Sequence, residues 1–392
     1  MVETEIKMRS TSTSELPDLS HLPGLAVHLI STKVKSIVDY VRFRAVCSSW
    51  RSASPPKPCH LPPQLPWLMI IEEKTMKEGM GLFYDLWESK MRKIHLPEIA
   101  HMWCLASCRG WLLLAATGGQ EVLLLNPLTQ ARIQLPPFNT EFKYLDDDTR
   151  NPFYDCLRLS VNKVTFSTDL TDPNCLIIVF HQGMRMIQIC RVGEPCWTDV
   201  TGGPSYRFQK IHDATYYNGR LYLLYRKTMV NIDLNKPEES IVSYYEPEIK
   251  NFRKHFLEGK SEVYVVVAHP SIEEDEVDSA ARNIKYGTKE TRKPKMELYQ
   301  FQEQSLKLNQ ISDTNNTAMF CGWGDFFLAV CCDEWDLVDC VGGKYIDVRG
   351  SWVQSNCHIC STKLGSGKSE VLCYLDAGLF IESLIWFQPS FG

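Results

Sequence analysis

A small all-α module followed by a large all-β domain is the fold class this sequence predicts, and three observations carry it. Six prolines fall between Pro55 and Trp67, which denies that stretch both helix interiors and ladder donors. Before the prolines apolar residues recur at helical spacing, whereas after them they come in short runs of strand length bounded by turn residues. The net charge also changes sign, from +3 over residues 1–60 (eight Lys and Arg against five acids) to −8 over the remainder of a chain whose total is −5.

Composition bounds what such a chain does. With 44% apolar and 23% charged residues in 392, it has the make-up of an ordinary globular protein and ample material for a core. A pI near 6.1 supplies no basic field, so no nucleic-acid partner is expected. The longest apolar runs, such as Trp111 to Ala116, fall far short of the roughly 18 residues of a membrane span, so no membrane partner is expected either. Residues 1–20 form a polar tail in which Glu3, Glu5, Glu15 and Asp18 sit among Ser and Thr. That is neither a secretory signal nor an acid-poor transit peptide, and the expected location is cytoplasmic, nuclear or both. Fifteen cysteines, an odd number, read as free buried thiols rather than a disulfide framework.

Residues 21–54 form the helical module. Leu25, Leu29 and Ile30 are spaced for one face of a first helix, and Ile37, Val38, Val41, Ala45 and Val46 for a second. Ser36 followed by Asp39 is a capping-box pattern that marks the second start, and Pro55 and Pro56 stop the run. So few residues bury little surface, and their apolar excess calls for cover. Residues 55–66 are the proline-rich linker.

From Trp67 to Gly392 strands are expected at Leu68–Ile71, Leu82–Trp87, Trp111–Ala116, Glu121–Leu125, Leu176–Phe180, Met186–Cys190, Leu221–Tyr225, Val263–Ala268, Met296–Phe301, Phe326–Cys331 and Val371–Leu375. Asn218-Gly219 is a hairpin turn, because both residues tolerate positive φ; Gly118-Gly119, Gly342-Gly343 and Gly365-Ser366-Gly367 serve similarly. Strands in succession without amphipathic helices indicate a sandwich, barrel or propeller. About 325 residues exceed one sandwich and suit six or seven propeller blades of about 45–50 residues. Gly-centred turns before apolar strands recur at Gly110, Gly219 and Gly324, separated by 109 and 105 residues. Met229–Leu234, Met296–Phe301 and Val371–Asp376 read as equivalent later strands. A charged insertion at about 271–295 puts Glu273, Glu274, Asp275, Glu276 and Asp278 before Arg282, Lys285, Lys289, Arg292, Lys293 and Lys295. It reads as a solvated loop, with a nuclear-import or acidic-partner patch as the alternative.

Catalytic and metal patterns are thin. Gly365–Ser369 resembles the end of a phosphate loop but has Thr362 where the motif needs glycine, and the following residues read as strand. Cys357, His358, Cys360, Cys331 and Cys332 lack the paired knuckles of structural zinc. Asp146, Asp147 and Asp148 sit in a turn context, and His212-Asp213 offers bases without a placed nucleophile. No cofactor, no metal and no catalytic residue is expected. Trp323, Trp335 and Trp352 are aromatic anchors or blade-core residues.

Leu22-Pro23-Gly24-Leu25 and the run Asp39-Tyr-Val-Arg-Phe-Arg-Ala-Val-Cys-Ser-Ser-Trp-Arg-Ser-Ala53 resemble an F-box. With the linker and the Asn126-Pro127-Leu128-Thr129 turn leading to Leu135-Pro136-Pro137, the chain looks like a plant F-box protein with a C-terminal KIB-type β-propeller. That resemblance implies a non-catalytic substrate receptor of a Skp/cullin/F-box ubiquitin ligase, with the F-box on the Skp adaptor and the propeller on an unnamed protein substrate. By position, Leu22 and Pro23 pack on the adaptor. Ile37, Asp39, Phe43, Val46, Cys47 and Trp50 form the helical surface that docks or supports docking, while size favours Val46 and Trp50 as module core and Cys47 as a small buried hydrophobe. The family's acidic residue after Leu-Pro is absent from Gly24-Leu25-Ala26, and its Leu-Pro after the first helix is replaced by Lys33-Val34-Lys35. A propeller scaffold or decoy with a degenerate F-box is the alternative.

Overall fold

The computed structural model describes residues 19–62, 64–138, 161–181, 186–200, 211–225, 228–234, 236–244, 253–258, 263–269, 295–305, 307–311, 317–321, 327–331, 344–349, 358–363, 369–374 and 381–391. The chain divides into two compact units, one ending at Leu61 and the other beginning at Pro62.

The first unit carries a 3-10 turn at Leu19–His21 and three helices, α1 (Gly24–Ser31), α2 (Ile37–Ala45) and α3 (Ser48–Ala53). Ser36 caps α2 by accepting from the Asp39 amide at 3.4 Å, as the capping pattern requires. The first prolines are fastened to this unit, since Tyr40 Oη donates to the Pro55 carbonyl at 2.8 Å.

The second unit is a propeller of six sheets among the described residues. In chain order its strands are β1 (Trp67–Glu72), β2 (Met80–Asp85) and β3 (Lys90–His95), with the short helix α4 (Glu73–Lys77) after β1; β4 (Met102–Cys108), β5 (Trp111–Ala116), β6 (Val122–Leu125) and β7 (Arg132–Leu135); β8 (Val161–Phe166), β9 (Leu176–His181), β10 (Met186–Arg191) and β11 (Thr198–Val200); β12 (Asp213–Tyr217), β13 (Arg220–Leu224), β14 (Thr228–Asp233) and β15 (Lys236–Tyr244); β16 (Arg253–Glu258), β17 (Val263–His269), β18 (Lys295–Gln302) and β19 (Lys307–Ile311); and β20 (Thr317–Cys321), β21 (Phe327–Cys331), β22 (Lys344–Arg349), β23 (His358–Lys363), β24 (Ser369–Tyr374) and β25 (Ile381–Phe387).

β4–β7, β8–β11, β12–β15 and β16–β19 each form a four-stranded meander, while β25 joins β1, β2 and β3 so that both ends of the unit share one sheet. The remaining sheet has five strands in the order β21-β20-β22-β23-β24, with β20 and β22 parallel. Consecutive sheets meet along β25, β4, β8, β12, β16 and β21, the innermost strand of each. Phe320 on β20 stacks edge-on against Trp386 on β25 at 5.1 Å, linking the last sheet back to the first.

Burial explains the apolar runs. Second strands such as β1 and β5 are packed on both faces, so they read as unbroken hydrophobics rather than alternating ones. Inter-blade clusters fill the seams, one of them setting Leu113 and Trp111 against Val164, Ile177 and Trp197. β2 ends at Asp85, short of the expected Trp87. The Asp85 carboxylate accepts from the Trp87 and Glu88 amides at 2.9 and 3.2 Å, which closes a turn there. Of the three strands read as equivalent, β14 and β18 are third in their sheets, but β24 is the fifth in its own.

The glycine turns are built as their residues dictate. Arg109-Gly110 and Asn218-Gly219 are two-residue hairpins with φ of 44° and 84°, and 47° and 80°, the doubly positive geometry that matches strand twist. Gly324, Gly342-Gly343, Gly365-Ser366-Gly367, Asp146–Asp148, Trp323, Trp335, Trp352, Cys332 and Cys357 lie outside the described residues. So does the charged insertion up to residue 294; the strands that bound it, β17 and β18, are neighbours. Among the described residues no helix is long and apolar enough to cross a membrane.

Candidate functional site

The helical unit spends its aromatic residues on its own core. Phe43 and Trp50 lie 4.5 Å apart at ring centroids and cluster with Val27, while Leu22, Val34, Cys47 and Ala53 pack against them half-buried. Trp50 Nε1 donates to the Leu19 carbonyl at 3.2 Å, which fixes the segment before α1. Ile37 and Tyr40 complete the buried side of α2.

That choice leaves the aliphatic residues outside. Leu25, Leu29 and Ile30 are 72%, 56% and 44% exposed, and Leu19 and Val46 are 52% and 57% exposed. The face of α1 that carries Leu25, Leu29 and Ile30 is thus the exposed one, and Val27 and Ser31 supply the buried one. Val46 is a correction to the size argument, since it stands outside the core next to the chain turn that begins α3. Cys47 is corrected too: it is half-buried at the start of α3, its Sγ 3.1 Å from Ser49 Oγ.

The predicted docking residues therefore fall into two groups. Ile37, Phe43 and Trp50 are interior, and Leu22 is half-buried on that interior. Pro23 is exposed at the N-cap of α1, Asp39 is exposed and paired with Arg42 at 3.3 Å, and Val46 is exposed. The spacing of Leu25, Leu29 and Ile30 marks a helix face without marking a contact surface. Their signal was a second apolar stripe that a module with three aromatic residues has no room to bury.

A second cluster lies on the inner strands of the propeller. The buried Asp213 carboxylate on β12 accepts from Lys163 Nζ on β8 at 3.2 Å and from the Phe256 amide on β16 at 2.8 Å. His255 Nδ1 stands 4.0 Å away, and Lys163 also donates to the Phe256 carbonyl at 3.3 Å. Burial pushes the Asp213 carboxyl up, opposed by Lys163 and by the amides of Phe256 and Ala214. One carboxylate so engaged by three consecutive blades staples the ring; it is not poised to take a proton from a substrate. His212 donates its backbone amide to Leu224 O at 2.7 Å, as a strand-end residue. On β23, His358 and Cys360 flank the buried Ile359, and among the described residues no group of three or more His, Cys, Asp or Glu is placed to hold a metal.

A family model described as the KIB1-4 beta-propeller matches residues 83–342. "F-box protein SKIP23" of Arabidopsis thaliana is 25% identical over 354 residues, which are 82% of each chain. "F-box protein At2g17036" of the same plant is 22% identical over 84% of this chain and 83% of its own. "F-box only protein 7", also from Arabidopsis thaliana, is 27% identical over 142 residues, 36% of this chain and 35% of that one. The chain belongs to the KIB1-4 β-propeller family, among the plant F-box proteins that carry this domain.

Proposed function

We propose that this chain is the substrate-receptor subunit of a Skp/cullin/F-box ubiquitin ligase. Residues 21–54 hold the Skp adaptor, and the propeller from Trp67 onward, read as six blades, holds a protein target. The receptor contributes no catalytic group and acts by proximity, placing the target where the ligase's own E2 transfers ubiquitin. Its place of work on this reading is the cytoplasm, the nucleus or both.

The observation that carries the reading is the exposure of aliphatic residues on short helices: Leu25, Leu29 and Ile30 on α1, which follows the exposed Pro23, and Val46 at the end of α2. A helical face of this kind is recovered from water at roughly 25 cal/mol per Å² when laid against another helix. Leu22 serves from behind by seating Pro23, and Phe43 and Trp50 hold the surface rather than touch the partner. Asp39 and Cys47 shape the starts of α2 and α3.

The experiment is co-purification with a plant Skp adaptor of the wild type, a Leu22→Ala/Pro23→Ala variant and a Leu25→Lys/Leu29→Lys variant. The expected result is stoichiometric capture of the wild type and loss of the Leu25→Lys/Leu29→Lys variant with its helical content intact. A folded wild type that captures no adaptor refutes the ligase role. The scaffold reading then takes its place, with Gly24-Leu25-Ala26, which lacks the family's acidic residue, as its basis.

A further inference from the structure

We propose that the outer edge of β24 is a docking site for an extended, apolar segment of a partner protein, which adds to the last sheet as a sixth strand. Among the described residues every other sheet of the propeller has four strands; this one has five, and β24 is the extra, outermost one. Among the described residues no strand pairs with its outer side. Val371, Leu372 and Tyr374 on it are 44%, 41% and 75% exposed.

The other outermost strands are guarded in the ways that keep sheet edges from pairing. β3 sets its one exposed apolar residue, Met91, among the exposed Lys90, Lys93 and His95. β7 exposes Arg132 and Gln134, and β19 exposes Lys307, Asn309 and Gln310. β11 has only three residues, and β15 opens on Lys236, Pro237, Glu238 and Glu239. β24 has Ser369 and Glu370 at its start and no charge beyond them. A terminal strand that exposes aliphatic and aromatic side chains recognises an extended backbone with apolar side chains.

The occupant is a partner segment rather than a second copy of this chain. The register passes from Ile359↔Cys373 to Cys360↔Val371, which makes Leu372 the extra residue of a bulge. Two copies pairing about a two-fold axis at the centre of the strand would set bulge against bulge. A seam of six residues, roughly 20 Å long by 10 Å thick, also buries only on the order of 400 Å² counting both sides. That is about a third of the ~1,200 Å² of a stable association, yet it suits the transient capture of a peptide segment.

This deepens the receptor reading and rests on it only for what the partner is. Binding is measured on the full chain without adaptor, so failure here and failure of adaptor capture are separate results. Short random peptides displayed on phage are selected on the wild-type chain, and the best binder is synthesised with a fluorophore. The expected result is a peptide with apolar residues at alternate positions that slows amide exchange across residues 369–374. Its affinity falls about tenfold or more in Leu372→Lys and again in Tyr374→Ala, while both variants melt like the wild type. Selection of no peptide, or a peptide bound equally by wild type and variants, overturns the proposal. So does a wild type that dimerises in solution through contacts that Leu372→Lys abolishes, since the edge would then belong to a second copy.

Discussion

Gly110 and Gly219 occupy the same kind of turn with nearly the same backbone, at φ of 84° and 80°, yet a methyl group added to each meets different surroundings. At Gly219 a Cβ touches nothing within 4 Å, whereas at Gly110 it collides with Ser390 Oγ and falls 3.0 Å from Ser390 O. The strap after β25 lies over this turn. Ser390 Oγ donates to Arg109 O at 2.7 Å, and the wholly buried Asn126 donates Nδ2 to Ser390 O at 3.0 Å. Gly219→Ala therefore carries backbone strain alone, about 1–2 kcal/mol. Gly110→Ala carries the same strain and also displaces the strap, losing one hydrogen bond of about 1 kcal/mol and stranding a buried donor for about 1–3 kcal/mol more. The expected losses are about 1–2 kcal/mol at Gly219 and about 3–6 at Gly110, read from urea melts followed by tryptophan fluorescence. Ser390→Ala in the Gly110→Ala background should recover part of the difference, because it removes the closest clashing atom. Equal losses at the two glycines would refute the strap as a fastening of the ring.

Two further outcomes follow from single side chains. Burial, opposed by the neighbouring Gln188 amide and the Asp199 carboxylate, pulls the His181 imidazole from an ordinary 6.5 down to about 4. The folded state then binds fewer protons than the unfolded one, so the contribution is complete above pH 6.5 and is lost as pH falls through 4, a change of roughly 3 kcal/mol. Urea melts between pH 7 and pH 4 should be markedly flatter for His181→Gln, and an unchanged slope would refute the assignment. Gly24 opens α1, and a Cβ there meets only Ala53 Cβ at 3.9 Å. Gly24→Ala should stabilise the helical unit by about 0.4–1 kcal/mol by restricting the unfolded chain, visible as a higher midpoint in circular dichroism.

Local chemistry was legible in the sequence and long-range pairing was not. The Asn218-Gly219 hairpin, the Ser36 cap and the buried second strands each rest on a few adjacent residues whose φ preferences or apolar runs leave little choice. The closure of the first sheet by β25 joins Trp67 to Phe387 and Leu68 to Trp386, and no adjacent residues announce such a partner. The same holds for the parallel pairing of β20 with β22, which turns one sheet into five strands and makes β24 an edge. Asp213 could be singled out as a titratable group, but its partners Lys163 and His255 come from other blades. Only the ring geometry converts a presumed base into a staple.

The helical unit poses the reverse case, where helix faces are legible and the choice of which one packs inward is not. A unit of three short helices has interior volume for a few large side chains, and Tyr40, Phe43 and Trp50 take it. Each excluded leucine gives up as much as about 1.5–3 kcal/mol of burial in the free unit, a loss recovered when it is covered. On the receptor reading proposed above, stability and adaptor capture reside on different residues. Leu29→Lys should abolish capture with little change in helical content, whereas Phe43→Ala should remove about 3–5 kcal/mol of stability and lose capture with the fold. Were Leu29→Lys to unfold the unit while Phe43→Ala left it intact, the face that carries Leu29 would be core, and the docking surface would lie elsewhere.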